Sequence, residues 1–168
     1  VKKPVPAGPS IVPRPAKIEV GSGSFQIGPK TSIVLDSQSA DAQGVGEFLA
    51  AKLRRSTGYP LDIRPAAGQI SRDAILLRTG DRLSKLGNEG YQLSASRNGV
   101  KIEAAAPAGL FYGVQTLLQL LPAEVEGSGK VEGVTWSIPI VKIEARPRFI
   151  WRGVHLDVGR HFFPKEFI

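Results

Sequence analysis

Between His155 and Glu166 the sequence gathers two imidazoles, a guanidinium and two carboxylates: His155, Asp157, Arg160, His161 and Glu166. All lie in the stretch P-R-F-I-W-R-G-V-H-L-D-V-G-R-H-F-F-P-K-E-F-I, Pro147 to Ile168. Two kinds of chemistry are open to such a set. The histidines with Asp157 or Glu166 could ligate a metal, but the chain has no Cys and only 2 His, and structural histidines outweigh a metal site. Arg160 offers a rigid fork of donors for hydroxyls or a carboxylate; alternatively it pairs with a neighbour such as Asp157. The local sequence favours the pairing and leaves both roles open.

Something must hold Arg160 in place. Phe149 to Val158 alternates loosely and is apolar enough for a buried strand, Gly159-Arg160-His161 turns, and Phe163-Pro164-Lys165-Glu166 reads as a helix start. Strand, turn and helix make one β/α step, and polar residues just after a parallel strand sit on the floor of the crevice where such folds place active sites. Arg160 takes that place. Trp151, Phe162 and Phe163 read as core rather than sugar platforms.

Upstream, Leu110, Phe111, Val114, Leu117, Leu118 and Leu121 fall at the spacing of one apolar helical stripe within Ala105 to Leu121. Pro107 suits the first helical turn and Pro122 ends the segment. Before it, Tyr91, Leu93 and Ala95 alternate with polar residues, as do Val100, Ile102 and Ala104, with Asn98-Gly99 between them as a hairpin turn. An earlier helix spans Asp36 to Thr57, with Val45, Phe48, Leu49 and Leu53 on one face, Ser39 or Asp41 as cap and Gly58 after its end. Ala16 to Val20, Phe25 to Ile27 and Ser32 to Leu35 read as a small antiparallel meander. Tyr59 to Arg64, Ala74 to Arg78 and Val134 to Glu144 are further strands, Ala74 to Arg78 being apolar enough to lie centrally. The predicted class is α+β: a mostly antiparallel sheet with two amphipathic helices on one face, followed by the first β/α step of a truncated TIM barrel.

Composition narrows the functions. The 168 residues, 42% hydrophobic, suffice for one core, and the absence of Cys excludes disulfides, thiolate metal sites and a Cys nucleophile. A net charge of +7 invites an anionic partner, but the basic residues are scattered, with Lys52, Arg54 and Arg55 the tightest group, and no basic run interleaves with aromatics; a solvated basic face outweighs a nucleic-acid site. No apolar run is long enough to span a bilayer, and the first residues lack the centre of a signal peptide. Phosphate-loop, nucleophile-elbow and zinc-helix motifs are missing. No cofactor is called for. Val1 to Pro15, with five prolines, reads as an extended lead-in.

Four segments together, E-G-Y-Q-L (Glu89 to Leu93), the Asn-Gly hairpin, G-L-F-Y-G-V-Q-T-L-L-Q-L (Gly109 to Leu120) and P-R-F-I-W-R-G-V-H-L-D-V-G-R-H-F (Pro147 to Phe162), resemble the β-N-acetylhexosaminidases of glycoside hydrolase family 20. The resemblance implies a Pro-rich lead-in at 1–15, an N-terminal α+β accessory domain at 16–144 and the incomplete start of a catalytic (β/α)8 barrel at 145–168. It implies a partner set of a glycan or chitooligosaccharide ending in N-acetylhexosamine and the remainder of the barrel, and a secreted or periplasmic location. By the same resemblance Arg160 binds hydroxyls of the terminal sugar, and hydrolysis is retaining and substrate-assisted, with an Asp orienting the acetamido group and the adjacent Glu protonating the leaving oxygen. The sequence departs from that pattern in one decisive way, since no Asp-Glu dipeptide occurs in it, and in a smaller one, Ala145 standing where relatives commonly have Asp. The expectation is thus an N-terminal piece of such an enzyme, inactive alone, with no catalytic residue of its own. The rival expectation is a stand-alone carbohydrate-binding or scaffold module.

Overall fold

The computed structural model describes residues 8–37, 39–66, 72–160 and 162–167. The first residues of the lead-in (1–7), His161 and Ile168 fall outside them. Two α-helices, α1 (Ala40–Thr57) and α2 (Pro107–Leu120), accompany seven strands: β1 (Lys17–Gln26), β2 (Ser32–Asp36), β3 (Ile63–Pro65), β4 (Ala74–Thr79), β5 (Tyr91–Ser96), β6 (Gly99–Ala104) and β7 (Ser137–Ala145). The strands form one sheet in the order β1-β7-β5-β6-β4-β2-β3.

The sheet is mixed rather than mostly antiparallel. β1/β7, β7/β5 and β5/β6 pair antiparallel, whereas β6/β4, β4/β2 and β2/β3 pair parallel. α1 joins β2 to β3 as a crossover helix, and a crossover returns the chain in the same direction, which makes that pair parallel. The predicted meander does not form. Its first two runs fuse into β1, which breaks register between Val20 and Ser24 and pairs only with β7, while β2 lies between β4 and β3. Tyr59 to Arg64 contributes only the short β3, which ends at Pro65.

The hairpin forms one residue out of its predicted frame. Ser96 pairs with Gly99, so Arg97 and Asn98 make the turn and Gly99 opens β6. Gly99 is needed there for another reason: a Cβ on it would lie 2.5 Å from the Ala74 carbonyl oxygen of β4. Alternation then turns Leu93, Ala95, Val100 and Ile102 toward the core, and sets Gln92 opposite Glu103 and Ser94 opposite Lys101 on the other face.

Both helices cover the same face of the sheet, as their stripes predict. Leu49 and Leu53 of α1 and Leu110, Val114 and Leu117 of α2 are fully buried in one cluster with Ile33, Ile75, Leu77, Leu93 and Ile102. Phe111 stands off that stripe, 39% exposed, with its ring 5.5 Å from that of Phe48 on α1. Ser39 is the N-cap residue of α1 but makes no side-chain cap hydrogen bond, and Gly58 closes the helix with its N–H on Arg54 O at 2.9 Å. Two of the three basic residues at its end are engaged by the protein itself: Lys52 pairs with Glu126 at 2.7 Å, and Arg54 donates to the carbonyls of Pro60 and Leu61. The lead-in is tied down from its second half, with Ile11 buried in the core and the Gln119 side-chain amide bonded to both the N–H and the carbonyl of Val12.

The predicted β/α step takes no regular structure. Residues 146–160 form no strand, and Phe163 to Glu166 begins a turn, not a helix. Ile150, Trp151 and Val154 are almost wholly exposed. A parallel strand needs neighbours to accept its backbone groups on both sides, and none lies alongside this segment among the described residues.

Candidate functional site

Arg160 sits on a bend of the C-terminal segment, 88% exposed, with Nε 3.4 Å from Asp157 Oδ2. Asp157 also accepts the Gly159 N–H at 3.1 Å, so it braces the bend and pairs with the guanidinium at once. The pairing seen engages Nε of an exposed guanidinium that carries two further nitrogens, so the two roles open in the sequence need not compete for the same atoms. His155 is exposed, and no group of three His, Cys, Asp or Glu among the described residues could hold a metal.

The structure assembles a second cluster that sequence reasoning missed. Glu89 lies in the turn before β5, Tyr112 on α2 and Arg152 in the C-terminal segment. Arg152 Nη2 donates to Glu89 Oε1 at 2.5 Å and to the Tyr112 hydroxyl at 3.2 Å, and Tyr112 donates to the same Glu89 oxygen at 3.3 Å. Arg152 Nη1 donates to Phe149 O, and its Cζ stands 5.7 Å from the centroid of the Tyr112 ring. The hydrogen bond from Arg152 holds the Glu89 carboxyl below the usual carboxylate range against the opposing effect of desolvation, and the same bond raises the Arg152 guanidinium. The one signal available beforehand is that Glu89, Tyr112 and Arg152 each belong to a different one of the three longer motifs.

Glu89 and Tyr112 are also held relative to each other by packing that does not involve Arg152. Gly109 of α2 packs on the Gly90 carbonyl so closely that no side chain fits between them, and its N–H donates to Asn88 O at 3.0 Å. One turn later Gly113 lies against Ile102 and Tyr91 in the same way. The pair of glycines four residues apart in G-L-F-Y-G lets the α2 backbone rest directly on the hairpin, and Tyr112 is carried to Glu89 as a result.

On the sheet face away from the helices, Glu103 is nearly buried and receives Lys101 at 2.8 Å, Arg82 at 3.4 Å and Arg78 at 3.5 Å; Arg78 also reaches Asp36 at 2.6 Å. The adjoining cavity, about 90 Å³, is far smaller than the roughly 300 to 1,000 Å³ of small-molecule sites. Cavities of about 290 and 300 Å³ beside Ser39 and beside Thr31 contain neither a carboxylate pair nor an aromatic ring. None of the three has the two facing carboxyl groups of a glycosidase site.

Residues 8–144 match the domain described as glycosyl hydrolase family 20, domain 2. The chain is 38% identical over 159 residues to the beta-hexosaminidase of Porphyromonas gingivalis, which covers 95% of this chain and 20% of that protein. It is 34% identical over 155 residues to the beta-N-acetylhexosaminidase of Cellulomonas fimi, covering 92% and 29%. Its fold superposes on the GH20 beta-N-acetylhexosaminidase of Streptomyces coelicolor A3(2) with a TM-score of 0.80 and 41% identity, over 94% of this chain and 31% of that one. A Streptomyces plicatus beta-hexosaminidase variant in complex with the product GlcNAc matches with a TM-score of 0.77, 42% identity and cover of 91% and 29%. The chain therefore spans less than a third of each of these proteins. With its domain matched over residues 8–144 and its sheet and helices superposing on those of GH20 enzymes, this chain belongs to glycosyl hydrolase family 20 and carries the family's domain 2.

Proposed function

We propose that this chain is the accessory part of a β-N-acetylhexosaminidase that removes terminal β-linked N-acetylglucosamine or N-acetylgalactosamine from glycans or chitooligosaccharides outside the cytoplasm. Residues 16–144 form the accessory domain, and 145–168 form the first β/α step of the catalytic barrel once its neighbouring strands are present. The observation that carries the reading is that similarity to beta-hexosaminidases runs on beyond the domain match, through most of the exposed apolar segment that holds Arg160. That segment sets Ile150, Val154, Leu156 and Val158 on one face and Phe149 and Trp151 on the other, apolar enough for a strand buried in a parallel barrel. Arg160, held at its Nε by Asp157, then presents its outer fork to sugar hydroxyls at the strand end. Hydrolysis is retaining and substrate-assisted, with the orienting Asp and the acid Glu supplied from outside these 168 residues.

The test compares this chain with the product of its whole reading frame on an aryl N-acetyl-β-glucosaminide. The chain alone should run at the buffer blank and the longer product well above it. Arg160→Ala in the longer product should lower kcat/KM by roughly ten- to a hundredfold, the range for losing charge-assisted hydrogen bonds. Hydrolysis by the 168 residues alone would refute the reading. Retention of the isolated chain on chitooligosaccharide would instead favour the binding-module reading, for which the exposed Trp151 is the supporting feature.

A further inference from the structure

We propose that Glu89, Tyr112 and Arg152 form a latch that sets the register of the segment carrying Arg160, which makes Arg152 a positioning residue for sugar binding. The inference rests on the assignment of Arg160 as a sugar ligand. Among the described residues, every hydrogen bond and ion pair from the segment after Ala145 to the α+β domain runs through Arg152; the others stay within the segment. The socket is rigid, because Gly109 against Gly90 locks α2 to the turn that carries Glu89. The guanidinium answers its neighbours at several points at once, touching Glu89, Tyr112 and the Phe149 carbonyl, which fixes both where the segment lies and which way it is turned.

The mechanics follow from strand geometry. Arg160 lies eight residues beyond Arg152, a span of about 26 Å once the segment is extended as a barrel strand. A strand that slips by one residue turns every side chain to its opposite face. With Arg152 seated, Arg160 keeps one face and one height; with the socket emptied, neighbouring registers open to it. Lys at 152 carries the charge but cannot reach three acceptors from one planar group.

Two measurements test this. In the 168-residue chain, 15N relaxation over residues 149–158 should show a loss of backbone order in Glu89→Arg and in Arg152→Glu, with order returning toward the parent in the charge-exchanged double variant. In the product of the whole reading frame, Glu89→Gln should raise KM for the aryl glycoside about threefold with kcat within about twofold, and should add little once Arg160 is Ala. Unchanged backbone order in both single variants would overturn the latch. Additive effects of Glu89→Gln and Arg160→Ala would overturn the positioning role. If Arg160→Ala alone leaves KM unaltered, the sugar-ligand assignment fails, and with it the positioning role, whatever the relaxation data show.

Discussion

A carboxylate whose proton affinity is lowered by a guanidinium responds to acid in one direction only. Glu89 gives up its proton more readily in the folded protein than in the unfolded chain. Its contribution is therefore complete above the unfolded value of about 4.3 and fades as pH falls through the lower folded value. Followed by NMR, its carboxyl resonance should titrate below about pH 4.3, and in Arg152→Gln the midpoint should climb toward that ordinary value. A midpoint indifferent to Arg152 would disprove the pairing. Sequence reasoning reached Arg160 and its partner Asp157 because they are three residues apart, within reach of a local pattern. It could not reach Glu89 and Arg152, which are separated by 63 positions and announce themselves by no spacing. No group of His, Cys, Asp or Glu able to hold a metal occurs among the described residues, and His161 lies outside them.

At the scale of the element, the two helices show how the same substitution takes opposite signs. Gly113 on α2 lies against Ile102 and the Tyr91 ring, so Gly113→Ala should destabilise the domain by about 1–3 kcal/mol through overpacking, despite the helical gain of alanine. Gly44 on α1 has open space where its Cβ would be, and Gly44→Ala should stabilise by about 0.5–1 kcal/mol. Urea denaturation of both variants checks the pair; equal signs would contradict the packing described. The helices themselves were legible, α2 from Pro107 and Pro122 and α1 from its stripe and Gly58, since these signals are local. The sheet was legible only in part. Asn98-Gly99 announced the hairpin, but its frame was decided by Ala74 of another strand. The parallel half escaped the reading because β2, β3 and β4 are short apolar runs whose direction depends on what the intervening chain does.

At the scale of the whole molecule, the first and last strands lie side by side. β1 pairs along β7 with Lys17 opposite Glu144, and the lead-in packs Ile11 into the core. Ile11→Ala should cost about 2–4 kcal/mol in a denaturant titration, the range for emptying a core site; an effect near zero would mean that the lead-in is only a tether. Composition alone gave Val1 to Pro15 an extended form, and one isoleucine among prolines gave no notice of being core. The tail past Ala145 was read correctly as apolar but wrongly as a formed strand, because a strand is a property of its neighbours as much as of its residues. The rims of the sheet have a consequence of a different kind. β3 ends at Pro65 after three residues, and β1 loses register between Val20 and Ser24, so neither rim offers a long straight row of free amides and carbonyls to a second molecule. Fibre growth by edge addition is closed at both rims of the folded domain, however its apolar tail behaves in a crowded solution.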